Sequence, residues 1–233
     1  MKIPTIFLAL IPSLFFTAAP DAGAAEKKFT DAFNMDKAEL SSVGTNRYFV
    51  LAPGYCLVLE GEEGGKRTVL TVTVLNETKF VDGVETRVVE EKEVAAGQTV
   101  EVSRNCFAIS KRTTDVFYFG EDVDMYKNGK VSGHEGSWLS GVAGARFGLG
   151  MPATPLLGAR YHQEVAPGTA MDRAEIVSLT ETLVTPAGKF ENCLKTEETS
   201  ALESGKEYKL YVAGIGLIQD ARLKLTKHGY KGQ

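Results

Sequence analysis

The sequence is poor in the residues and runs that ordinarily announce a chemistry. It carries three cysteines, three histidines and one tryptophan in 233 residues. No CxxC knuckle or HExxH helix is present, so neither zinc signature is written into the chain. Ser137 sits in HEGSW without the G-x-S-x-G frame, which removes a nucleophile elbow. GARFGLG has glycines but no strand-to-helix passage after them, which removes a phosphate cradle. Charge of positive sign is not in excess either: the formal net charge is −4, without a basic stripe to neutralise phosphates. Nucleic-acid binding therefore has no electrostatic support. Past the N-terminus no 18 consecutive apolar residues occur, so no later segment reads as a membrane-spanning helix.

What is there begins with Met1, Lys2 and the apolar run IPTIFLALIPSLFF, about 14 residues, too short to span a bilayer and broken by Pro4 and Pro12. Ala22, Gly23 and Ala24 follow in an A-x-A pattern. A charged start, an apolar core and a small-residue cleavage site predict a signal peptide over residues 1–24, leaving 25–233 as one β domain, periplasmic or secreted. No cysteine lies at the junction to carry a lipid anchor. In an oxidising compartment, Cys56, Cys106 and Cys193 suggest one bridge and one spare thiol. Strand alternation sets Cys193 on a charged face with Glu191, Lys195 and Glu197, so a Cys56–Cys106 bridge is expected.

Residues 30–44 form the one stretch with a helical stripe, Phe33, Lys37 and Leu40, ended by Gly44. From Tyr48 onward, short β-branched and aromatic runs alternate with turn signals. In RTVLTVTVLNE, Leu70, Val72 and Val74 face one way and Thr71 and Thr73 the other. Asp82-Gly83 and Asn128-Gly129 are type I′ hairpin signals, because both turn residues need positive φ. Residues 139–173 are rich in glycine and proline and predict loops and extended pieces. The whole predicts an all-β chain: a single antiparallel barrel-like or half-barrel domain of about eleven strands, with a short N-terminal helix.

Three stretches, FYFGEDVDMYKNGKVSGHEGSW, MPATPLLGARYHQEVAPGTAMDRAEIVSL and YKLYVAGIGLI, resemble an uncharacterised group of bacterial exported proteins and lipoproteins. The resemblance runs over residues 48–220 and implies an exported β-rich protein, with no catalytic roles attached. The closing YVAGIGLI is also similar to the last hairpin of periplasmic half-barrel lipid carriers.

Candidate sites follow from residue type. Asp122, Asp124 and Asn128-Gly129 approach a Ca²⁺ loop, but Tyr126 stands where an oxygen ligand belongs and the glycine falls two residues late. His134 and Glu135, with His162 and Glu164, are the ligand types for a borderline divalent metal, and give the alternative of a metal-dependent hydrolase. Glu135, Glu164, Asp172 and Glu175 could supply paired carboxylates, but nothing in their spacing selects two of them. Aromatics are the denser signal, concentrated in the middle of the chain. A curved sheet around an apolar hollow would be lined by such rings. The expected function is therefore a non-enzymatic, cofactor-free cell-envelope protein that binds an apolar or amphipathic, lipid-like ligand. The expected ligand-binding residues are Tyr118, Tyr126, Trp138, Arg160 and Tyr161, with Arg160 on an anionic head group.

Overall fold

The computed structural model describes residues 28–230. The predicted signal peptide, residues 1–24, and its expected cleavage site lie outside the described residues.

One turn of 3₁₀ helix, Lys37–Glu39, precedes the strands. The first group is β1 (Leu40–Ser41), β2 (Gly44–Asn46), β3 (Phe49–Leu51), β4 (Tyr55–Glu63), β5 (Lys66–Val81), β6 (Val84–Ala95) and β7 (Gln98–Ser110). Then come β8 (Val116–Lys127), β9 (Lys130–Gly133), β10 (Trp138–Leu139), β11 (Arg146–Met151), β12 (Arg160–His162) and β13 (Glu164–Val165). The last are β14 (Asp172–Thr185), β15 (Gly188–Ser200), β16 (Glu207–Val212), β17 (Gly216–Asp220) and β18 (Leu223–Tyr230).

The protein is all-β, with one sheet in the order β12-β14-β15-β16-β17-β18-β4-β5-β6-β7-β8-β11-β13. The two ends of that path are neighbours in sequence. β12 pairs with β14 through Arg160↔Glu175 and His162↔Arg173, while β13 pairs with β11 through Arg146↔Val165 and Phe147↔Glu164. The sheet is therefore a nearly closed barrel whose seam is the single segment Arg160–Val165. Gly148 permits this closure: a Cβ there would collide with the backbone of His162 and Gln163.

Long hairpins build the wall. Asp82 and Gly83 have φ of 47° and 81°, and Asn128 and Gly129 of 53° and 74°, as type I′ turns require. Their primed geometry matches the strand twist and carries β5 into β6 and β8 into β9.

Three expectations are corrected. The predicted N-terminal helix reduces to one turn: Asp36 caps Ala38, but Leu40 already pairs with Ser110 of β7. Sheet pairing and burial of Leu40 outweigh a weak helical stripe. Eighteen strands, sixteen of them in the main sheet, replace eleven among the described residues. Most of the surplus are pieces of two to four residues (β1–β3, β9, β10, β12 and β13), too short to show alternation. Cys56, Cys106 and Cys193 are all free thiols. β5 and β6 lie between the strands of Cys56 and Cys106. At ~4.8 Å per strand that is far beyond the ~7 Å Cα limit for a bridge. Cys193 is fully buried, not on a wet face. A register shift opposite Glu181–Leu183, with Asn192 at φ 55°, flips the alternation just before it.

Apolar side chains collect on both sides of the wall. Inside are Leu57, Leu59, Val74, Val89, Ile218 and Leu225 with their neighbours. Outside β7 and β8 a second core joins Leu40, Val81, Val84, Cys106, Phe117 and Phe119, covered by Phe33, Met35, Leu139 and Phe147. Asp82 ties that cover down, pairing with Lys37 at 2.8 Å and accepting from the Ser140 hydroxyl at 2.7 Å.

Candidate functional site

Because β strands alternate, every second residue of the wall points into the lumen. Along β7 the inward series is Phe107, Asn105, Ser103, Glu101, and along β6 it is Val89, Glu91, Glu93. β6 and β7 are in register as Val89↔Asn105, Glu91↔Ser103 and Glu93↔Glu101, so apolar and acidic levels line up across the wall. The lumen thus grades from greasy to acidic along the barrel axis.

A hollow of about 280 Å³ occupies this lumen. Its apolar end is formed by Tyr55, Leu57, Val74 and Phe107 under the β2–β3 hairpin, which contributes Phe49 and Val50. Phe49 packs on Phe107 with ring centroids 4.9 Å apart. The hairpin is held by Asn46, 1% exposed, whose Nδ2 donates to the carbonyls of Thr114 (2.9 Å) and Pro152 (3.1 Å) and whose Oδ1 accepts from the Tyr48 amide (2.7 Å). Three satisfied groups make the cap part of the fold.

The other end carries Glu91, Glu101, Glu121, Glu164, Asp172, Glu198 and Asp220 against one lysine, Lys209. A second hollow of about 260 Å³ shares Glu91, Glu101 and Asp220 and continues past Glu63, Glu93 and Glu207. Removal from bulk water pushes the carboxyl of Glu91 up to about 7; Lys209 opposes this, and Asp220, Glu101 and Glu198 add to it. Glu121 is likewise raised to about 7 by burial and then by Glu91, against the hydrogen bond from Tyr118. Burial raises Glu101 and, with Asp172, holds Glu164 well above the carboxylate range. Lys209 stays firmly protonated because Asp220 (3.7 Å) and Glu198 (3.2 Å) flank it.

Of the residues expected from sequence to touch ligand, Tyr118 lines the hollow. Its ring stacks on Phe107 at 4.8 Å, and its hydroxyl donates to Asn105 Oδ1. Trp138 is buried behind it, edge-on at 5.2 Å, with its indole N–H buried and unpartnered. Tyr161 is buried in the inner core. Tyr126 stands at the far end of β8 opposite Val131, and Arg160 is paired with Glu175 at 3.0 Å; neither is among the lining residues.

The candidate metal residues are dispersed. His134 contacts the Val123 carbonyl (2.8 Å) and Asp124 (3.1 Å). His162 packs edge-on against Phe29 (6.0 Å), and Glu164 accepts from the Asp172 amide. Gly133 lies against the carboxyl group of Glu135. Among the described residues no group of three or more His, Cys, Asp or Glu is arranged to hold a metal.

Sequence reasoning passed over Glu91, Glu101, Glu198, Lys209 and Asp220, and weighed Glu121 only as part of an acidic turn with Asp122 and Asp124. The signal available was the polar alternation Glu101-Ser103-Asn105 opposite apolar Val102, Cys106 and Ala108. Alternation alone assigns the apolar side to the inside. Here that side faces the outer core, which only the cover from Phe33, Met35 and residues 139–147 explains.

No family model and no curated protein matches the chain. Among solved structures, one described as a "putative lipoprotein" from Parabacteroides distasonis ATCC 8503 aligns with 80% of this chain and 100% of its own. It is 14% identical at a TM-score of 0.39. Similarity of that degree carries no argument about what this chain binds.

Proposed function

We propose that this is an exported cell-envelope protein that holds a small amphipathic ligand in the lumen of its barrel, without catalysis. One observation supports this above the rest: the hollow of about 280 Å³ joins an aromatic end under the β2–β3 hairpin to a polar end. Binding sites for small molecules are typically concave and largely apolar, with a few polar groups that fix orientation, at ~300–1,000 Å³. This hollow falls just below that range, which suits a single chain and not a two-chain lipid. Tyr118 is the orienting aromatic of the reading, and the N-terminal signal pattern supports export.

Trp138, the sole tryptophan, reports on Tyr118 through their edge-on contact. Titration with single-chain amphiphiles is expected to change its emission saturably, with a matching calorimetric isotherm. Absence of both signals across amine, alcohol and acid head groups overturns the reading.

A further inference from the structure

Resting on that reading of the lumen, we propose that the polar end of the hollow takes an organic cation: the ammonium head of a single-chain amphiphile, its tail among Phe49, Tyr55 and Phe107. Two observations carry this. The lining is lopsided, with Lys209 as its one cation among the described residues, and both Glu198 and Asp220 already flank that lysine. Among the described residues Glu91, Glu101 and Glu121 have no cation at ion-pair distance, and Glu91 feels Lys209 only at longer range.

Each of these groups lacks the same thing, a donor carrying positive charge. An ammonium supplies three N–H donors and no acceptor, so it can answer several of these carboxylates together. A carboxylate head supplies acceptors only and meets like charge in a site of reduced dielectric. The expected anionic partner for Arg160 has no place here, since Arg160 pairs with Glu175 away from the lining. The axial order of β7, from Phe107 to Glu101, fixes the orientation: tail toward the cap, head toward the acidic end.

The test uses the purified protein and three probes that share a tail, decylamine, decanol and decanoate, in calorimetry at pH 8. Decylamine is expected to bind at least tenfold tighter than decanol, and decanoate weakest of the three. In the Glu91→Gln/Glu121→Gln variant, decylamine should lose tenfold or more while decanol stays within twofold. Circular dichroism checks the fold of that variant, and Glu101→Gln replaces it if the fold is lost. Decanoate binding as tightly as decylamine, or a variant with unchanged decylamine affinity, overturns the cation and leaves the lumen reading standing. Binding of none of the three overturns the lumen reading and this inference with it.

Discussion

The Tyr118 hydroxyl donates to Asn105 Oδ1 at 2.7 Å, and the Asn105 amide donates onward to the Ser103 hydroxyl at 3.1 Å. That chain of donors crosses from β8 to β7 at the level where the lumen turns from aromatic to polar. Tyr118→Phe removes the first donor and leaves a buried acceptor open, so it should cost about 1–2 kcal/mol in urea denaturation. Tyr118→Ala also strips the ring from between Phe107 and Trp138, and about 3–5 kcal/mol is expected. Equal losses for the two variants would show that the hydroxyl, and not the ring, is all that matters.

Asn46 fastens the cap with three hydrogen bonds from a side chain that is 1% exposed. Asn46→Ala should destabilise by about 2–4 kcal/mol, since the Thr114 and Pro152 carbonyls and the Tyr48 amide all lose their partner. Amide exchange at Tyr48 should accelerate more than exchange in β6. A uniform change would mean that the hairpin does not open separately.

Stability should depend on pH through Glu91 and Glu121, both raised to about 7 in the folded protein. A carboxyl whose folded value lies above its unfolded one keeps its proton in the native state while the unfolded chain has already lost it. The native state then binds more protons, and stability falls as pH rises from about 4.5 to about 7. Below that window the contribution is fully present; above it the loss is complete. The groups facing Glu91 are Lys209, which opposes the shift, and Asp220, Glu101 and Glu198, which add to it; those facing Glu121 are Glu91, Glu101, Asp172 and Tyr118. Both side chains keep some accessible surface, which tempers the effect to on the order of 1–2 kcal/mol per group. Urea midpoints from pH 5 to pH 8 should fall for the natural protein and stay flatter for Glu91→Gln/Glu121→Gln. Parallel curves for the two proteins would place the dependence elsewhere.

The thiols offer a check on the corrected pairing. Burial raises the Cys106 and Cys193 thiols, and Cys56 is the partly exposed member of the three. A thiol-reactive dye should label the native protein at Cys56 first and slowly, and all three cysteines at once in denaturant. Fewer than three reactive thiols after denaturation without reductant would reveal a bridge.

The barrel was readable in outline because its longest hairpins follow local rules. Leu70-Val72-Val74 against Thr71-Thr73, and the Asp82-Gly83 and Asn128-Gly129 turns, form as the sequence predicts. The short strands were not readable, because a piece such as Trp138–Leu139 has no period and exists only by pairing with Gly120 and Glu121. Cys193 failed for a related reason, a bulge that alternation cannot foresee. The acidic lumen was hidden more deeply. Glu91, Glu101 and Glu198 look like solvent-facing residues until closure of the barrel turns their side of the strand inward.

That closure rests on Arg160–Val165, which hydrogen-bonds to both ends of the sheet path. Before the piece docks, β11 on one side and β14 on the other lack their partner, although its register partners lie only 15 (Arg160↔Glu175) and 19 (Arg146↔Val165) residues away, so sealing draws on short loops. Until then two raw margins stand open, each a template for a neighbouring molecule. A proteolytic nick within the seam would recreate that state and turn a self-contained barrel into a seed for aggregation.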